Sequence, residues 1–190
     1  MTRLGWTMLA LFLLIGAGFL SMTSFGTATQ LRAPAVQDTG SRAGPLVVPV
    51  AGVARGAIAD SWGDPRGGGL RAHHGTDIIA PQGAPVIAAA AGRVEKLFQS
   101  QLGGTTVYVR SPDGRWIYYY AHLAGYRPGL AEGQAVRAGQ QLGFVGDTGD
   151  AGPGNYHLHF AMQRMRPGER WYQGEDVNPF PMLAGRAATR

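Results

Sequence analysis

The sequence predicts a mainly β protein, a compact antiparallel domain following an N-terminal hydrophobic helix, and three observations carry that expectation. From Val47 to Leu183 short β-branched or aromatic runs alternate with glycine-rich turns, and no i, i+3, i+4, i+7 apolar pattern persists beyond a turn or two. At 105–123 a strand, a turn and a strand can be read directly as TTVYVR, SPDG and RWIYYYAHL. Glycines recur inside the strand-like runs, where they mark bulges or close backbone approach and suit a curved sheet sandwich.

Taken in order, the first element is Trp6 to Met22, which carries no charge and reads as a secretory signal or a membrane anchor, with Gly26-Thr27-Ala28 offering a small-residue cleavage site. No polar face interrupts it, which argues against a buried core helix. Residues 1–28 therefore form the leader or anchor, and 29–46, rich in Gly, Pro, Ser and Thr, a linker. The domain is expected over 47–183 and a tail over 184–190. In the second strand of the hairpin, alternation puts Trp116, Tyr118, Tyr120 and His122 on one face, with the aromatic stripe read as core rather than a sugar platform. The segment 136–149 (VRAGQQLGFVGDTG) echoes 86–94 (VIAAAAGRV) in its spacing of Val and Gly, a weak sign of a repeated β unit. In HLHFAM (157–162), Leu158, Phe160 and Met162 face one side, and His157, His159 and Ala161 the other.

Composition narrows the function classes. A chain of 190 residues holds one ordinary domain plus a leader, and 45% hydrophobic against 15% charged residues is enough apolar surface to fold. The net charge of +5 favours an anionic partner, but the arginines are scattered singly without interleaved aromatics, which argues against nucleic acid. There is no cysteine, so disulfides, thiolate metal sites and a cysteine nucleophile are excluded, and any metal must sit on His, Asp or Glu.

All five histidines fall in three short segments, HHGTD (73–77), YAHL (120–123) and HLHF (157–160). Residues i and i+2 of a strand lie about 6.6 Å apart, so the imidazoles of His157 and His159 can reach one cavity. His73 and Asp77 would be roughly 13 Å apart on an extended chain and can share an ion only if the backbone bends, which Gly75 permits. Two imidazoles and a carboxylate with a fourth position for water is a recognised ligand set for catalytic zinc. His74 reads as structural or exposed. No GxSxG, GxxxxGK[ST] or HExxH occurs.

Together RAHHGTDIIAPQGAPVIAAAAGRV (71–94), YYAHL (119–123), VRAGQQLGFVGDTG (136–149) and HLHF (157–160) resemble the lysostaphin-type, or LytM-type, zinc endopeptidases, with the motifs in the family's order. The resemblance spans roughly Trp62 to Met162. It implies a barrel-sandwich hybrid fold and one zinc ion per domain on His73, Asp77 and His159. It also implies that His122 and His157 are catalytic, orienting the water and stabilising the oxyanion. The implied substrate is peptidoglycan, cut in its cross-links or stem peptides, and the implied location is the bacterial envelope, periplasmic or secreted, with inner-membrane anchoring through the N-terminal segment as one form. Direct cross-links rather than glycine bridges are the expected target. The rival readings are a non-catalytic member that binds peptidoglycan or regulates a wall amidase, and a glycan-binding module. Two departures stand out. Asn155-Tyr156 precedes His157 where the family commonly has Thr-Gly-Pro, and Ala161 stands where it commonly has Glu, which removes a candidate hydrogen bond behind the site.

Overall fold

The computed structural model describes residues 46–186. The expected leader at 1–28, nearly all of the 29–46 linker and the last four residues lie outside that range. No helix among the described residues is long and apolar enough to cross a membrane.

Among the described residues eleven strands, all paired antiparallel, form the framework of the domain. β1 (Pro65–Arg66) and β2 (Arg71–Ala72) form a small separate hairpin. The other nine belong to one sheet: β3 (Thr76–Ile79), β4 (Pro85–Ile87), β5 (Gly92–Ser100), β6 (Gly104–Arg110), β7 (Trp116–Tyr126), β8 (Ala135–Val136), β9 (Gln141–Val145), β10 (His157–Arg164) and β11 (Glu175–Val177). The expected hairpin is β6 and β7. Its turn is closed by Asp113, whose Oδ1 accepts from the Ser111 hydroxyl at 2.6 Å and from the Arg115 amide at 3.1 Å. The two segments with similar Val and Gly spacing pair with each other. Val86 of β4 stands opposite Gly143 of β9, and Gly92 of β5 opposite Val136 of β8, so the weak repeat is a pair of mutually bonded β units.

β10 runs between β3 and β7 and separates core from site. Leu158, Phe160 and Met162 are fully buried and pack with Ile78, Tyr120, Leu123 and Leu142, while His157 and His159 face a cleft. The short helix α1 (Phe180–Ala184) adds Phe180 and Leu183 to this core. Arg55 holds the helix in place by donating to the carbonyls of Leu183 (2.6 Å) and Leu46, which ties both ends of the domain together.

Strict alternation fails at one functional position. Trp116, Tyr118 and Tyr120 turn toward the core as expected, but His122 does not share their face. Its φ of 61° lies in the left-handed region, uncommon for a residue with a side chain, and the β6–β7 register shifts between Thr105 and Val107. This bulge inserts an extra residue, so Leu123 takes the next core position and His122 swings into the cleft beside Ala121.

Candidate metal centre

The antiparallel register does most of the assembly. His159 stands opposite Asp77 on β3 and Ala121 on β7, so the carboxylate and imidazole leave the sheet on the same face. His73 reaches the same point from the bend between β2 and β3. Its Nε2 lies 2.8 Å from His159 Nδ1 and 3.1 Å from Asp77 Oδ1, and His159 Nδ1 is also 3.1 Å from Asp77 Oδ1. One ligand atom from each of His73, Asp77 and His159 falls within 4.8 Å of the others, the one such grouping of His, Cys, Asp or Glu among the described residues. Two nitrogens and one carboxylate oxygen suit a borderline-soft divalent cation such as zinc.

The rings are fixed from behind. A carbonyl can only accept, so the nitrogen facing one must carry hydrogen. His73 Nδ1 donates to Ser61 O (2.6 Å), His122 Nδ1 to Thr148 O (2.8 Å) and His157 Nδ1 to Asn155 O (2.8 Å). With a hydrogen on Nδ1, each ring is left with Nε2 to face the cleft. His157 Nε2 is 3.8 Å from Asp77 Oδ1, and the His122 ring lies 4.9 Å from that of His157 and 5.9 Å from that of His159. His74 points elsewhere. It is more than half exposed, stacks on Trp62 and bonds Asp176 at 2.8 Å.

Glycines in the motifs are explained by crowding. A Cβ on Gly75 would lie 2.5 Å from His159 Cε1 and 2.9 Å from Phe160 O. Its role is therefore space for the His159 ring, beyond the bend expected of it. In VGDTG, a Cβ on Gly146 would lie 2.3 Å from Ala124 N, so the segment presses on β7 just after His122. Thr148 Oγ1 in turn donates to Leu123 O and accepts from Thr105 N, which locks the carbonyl that holds His122.

The electrostatics favour cation binding. Burial works against ionisation of Asp77, but hydrogen bonds and charge attraction from His159 and His73 outweigh it and hold the carboxyl well below its usual range. Burial depresses the pKa of His122, with His157 and His159 adding to that, and burial likewise depresses His159 against the pull of Asp77. His122 is thus an acceptor at neutral pH. Arg66 Nη2 bonds the outer oxygen of Asp77, Oδ2, at 2.5 Å and leaves Oδ1 to the histidines.

The cleft encloses about 950 Å³ and contains groups that the sequence did not single out. Arg66, Arg71, Tyr119 and Asp150 all line it. Tyr119 stands opposite Ala161 in register, with its ring 5.9 Å from that of His159, so an aromatic ring occupies the neighbourhood of the absent Glu. Burial and the neighbouring Tyr108 push its phenol pKa up, which keeps it neutral. Period-2 reading could have found Tyr119, because it alternates with the core positions of β7.

A profile of peptidase family M23 matches residues 71–179, more than half of the chain. The chain belongs to peptidase family M23. The M23 chain is 37% identical over 129 residues to the L-Ala--D-Glu endopeptidase of Bacillus subtilis, an alignment covering 65% of this chain and 38% of that protein. It is 42% identical over 94 residues to the peptidoglycan DD-endopeptidase ShyC of Vibrio cholerae, covering 49% and 20%. It therefore spans well under half the length of either relative. Among solved structures, the catalytic domain of lysostaphin from Staphylococcus simulans superposes with a TM-score of 0.54 at 28% identity, over 66% of this M23 chain and 90% of that domain. The expected lysostaphin-type resemblance and the mainly β antiparallel fold are thus both found.

Proposed function

We propose that this M23 chain is a zinc-dependent endopeptidase that hydrolyses peptide bonds in peptidoglycan cross-links or stem peptides, outside the cytoplasm. One observation carries the reading. Three donor atoms from His73, Asp77 and His159 converge, while two further histidines, His122 and His157, each bonded through Nδ1 to a backbone carbonyl, line the same cleft. The two curated relatives, both named endopeptidases and one a peptidoglycan endopeptidase, support the substrate class. The uncharged Trp6–Met22 run supports export, as a cleaved signal or as an inner-membrane anchor.

In this reading His73, Asp77 and His159 hold one zinc ion, which when bound would polarise the scissile carbonyl and lower the pKa of water. The protein supplies the proton handling. His122, neutral because of burial, accepts a hydrogen bond from the attacking water through Nε2 and orients it. As the water oxygen bonds to the carbonyl carbon, its proton passes to an Nε2 of the His122–His157 pair. The resulting imidazolium donates from the same atom, first toward the oxyanion and then to the leaving amine as the C–N bond breaks. The carbonyls of Thr148 and Asn155 stabilise that cation by accepting from Nδ1.

Digestion of purified peptidoglycan by the full chain, followed by mass analysis of released muropeptides, tests this. New amine and carboxylate termini at one type of peptide bond, lost with chelator and restored with zinc, are expected. Intact peptidoglycan in the presence of bound zinc would instead identify a non-catalytic, wall-binding protein. A C-terminal reporter active only in the cytoplasm would defeat the location.

A further inference from the structure

The β1–β2 hairpin places two arginines directly opposite each other. Arg66 pairs with Arg71 in register, so both side chains leave the same face, and both line the cleft. Like charges at directly opposed positions are unfavourable in an antiparallel pair. The connection also needs three consecutive left-handed residues, Gly67, Gly68 and Gly69, with φ of 57°, 69° and 92°. Each arginine has a carboxylate partner that offsets this repulsion.

Each guanidinium is held by a carboxylate, and the two ion pairs differ. Arg66 is fastened at 2.5 Å to Asp77, whose side chain is 17% exposed and is part of the metal centre. Arg71 reaches Asp150, in the turn Gly149–Ala151, at 2.9 Å, with side chains 48% and 44% exposed. A solvent-exposed pair of this kind contributes little to stability, so another carboxylate can take the place of Asp150 with little loss. The guanidinium fork matches a carboxylate with two parallel N–H donors and has no comparable match to a carboxamide.

We propose that Arg71 is a specificity residue that recognises a free carboxylate on the peptide entering the cleft, and that Asp150 holds the guanidinium in position until that carboxylate displaces it. This rests on the peptidase reading above and narrows its substrate class to peptides with an ionised, unamidated carboxyl group beside the scissile bond. Arg66, committed to Asp77, stays with the metal centre.

The test uses two synthetic stem-type peptides that differ only in a free carboxylate or a carboxamide next to the scissile bond. Their binding to the zinc-loaded full chain carrying His157→Ala is measured by calorimetry, so that turnover does not interfere. The carboxylate peptide is expected to bind about fivefold more tightly, the upper end for an ion pair at a half-exposed site. Adding Arg71→Gln should bring the two peptides to within about twofold, Arg71→Lys should keep part of the preference, and Asp150→Asn should keep all of it. Equal binding by the Arg71 protein, a preference that survives Arg71→Gln, or one that vanishes with Asp150→Asn overturns the proposal. Turnover by the wild-type chain is scored separately. If the binding preference holds but neither peptide is cut, the peptidase reading fails and the carboxylate subsite stands.

Discussion

Gly75→Ala probes how tightly the fold constrains the metal centre. Gly75 is not among the left-handed glycines, so alanine can adopt its backbone conformation and the effect is steric. The new methyl would lie 2.5 Å from His159 Cε1, 2.8 Å from His159 Nε2 and 2.9 Å from Phe160 O. Carbon contacts are comfortable at about 3.5–4.0 Å, so something must move by about 1 Å. Phe160 is fully buried and β10 is bonded on both sides, so the carbonyl cannot retreat and the His159 ring must turn away. Overpacking of this kind costs about 1–3 kcal/mol, which in a domain of this size lowers Tm by about 2–10 °C. Displacing a ligand ring should weaken zinc binding by about 10–100-fold, the range seen when the support of a metal ligand is lost. Thermal melting of the metal-free chain and a competition titration against a chromophoric chelator read the two effects. Gly125→Ala is the control, since nothing lies within 4 Å of its Cβ and its φ is also ordinary. Unchanged zinc affinity and Tm in Gly75→Ala would refute the claim that this glycine exists to accommodate the His159 ring.

Three further outcomes follow from the same geometry. His159→Ala and Asp77→Ala should lose zinc and hydrolysis together, whereas His157→Ala should retain zinc and lose about 10²–10⁴-fold in rate. If His157→Ala loses the metal while His159→Ala keeps it, as measured by metal analysis, the two roles are reversed. Because His122 has a φ of 61°, His122→Gly should be more stable to urea than His122→Ala by about 1 kcal/mol, and equal stabilities would remove the strain. Burial lowers the His122 pKa below its usual 6.5 in the folded state, so the unfolded chain binds the proton first. The associated stability is fully present above about pH 6.5 and is lost as pH falls toward the lowered value. Melting of the metal-free chain across pH 5–8 should show that loss, and His122→Gly should flatten part of it; an identical profile would exclude the residue.

Much of the fold and site was legible because it depends on local pattern. The HLHFAM alternation separates three core side chains from two histidines through the period of a strand, and the SPDG turn specifies the β6–β7 hairpin. The motif order identified His73, Asp77, His122, His157 and His159 as one set, and the structure brings all five to one cleft. Alternation misled at His122, because a bulge is a relation between two strands and leaves no mark in the period of one. Arg66 and Arg71 are ordinary basic residues in the sequence, and only the register of a two-residue hairpin sets them opposite each other and against carboxylates 11 and 79 positions away. The carbonyls of Ser61, Thr148 and Asn155, which fix three imidazoles, are backbone atoms that every residue possesses, so no residue identity announces them. The sequence by itself thus determined which side chains gather at the cleft. The tertiary structure decided where each ring points and which nitrogen carries its proton, since orientation and tautomer follow from contacts between segments far apart in the chain.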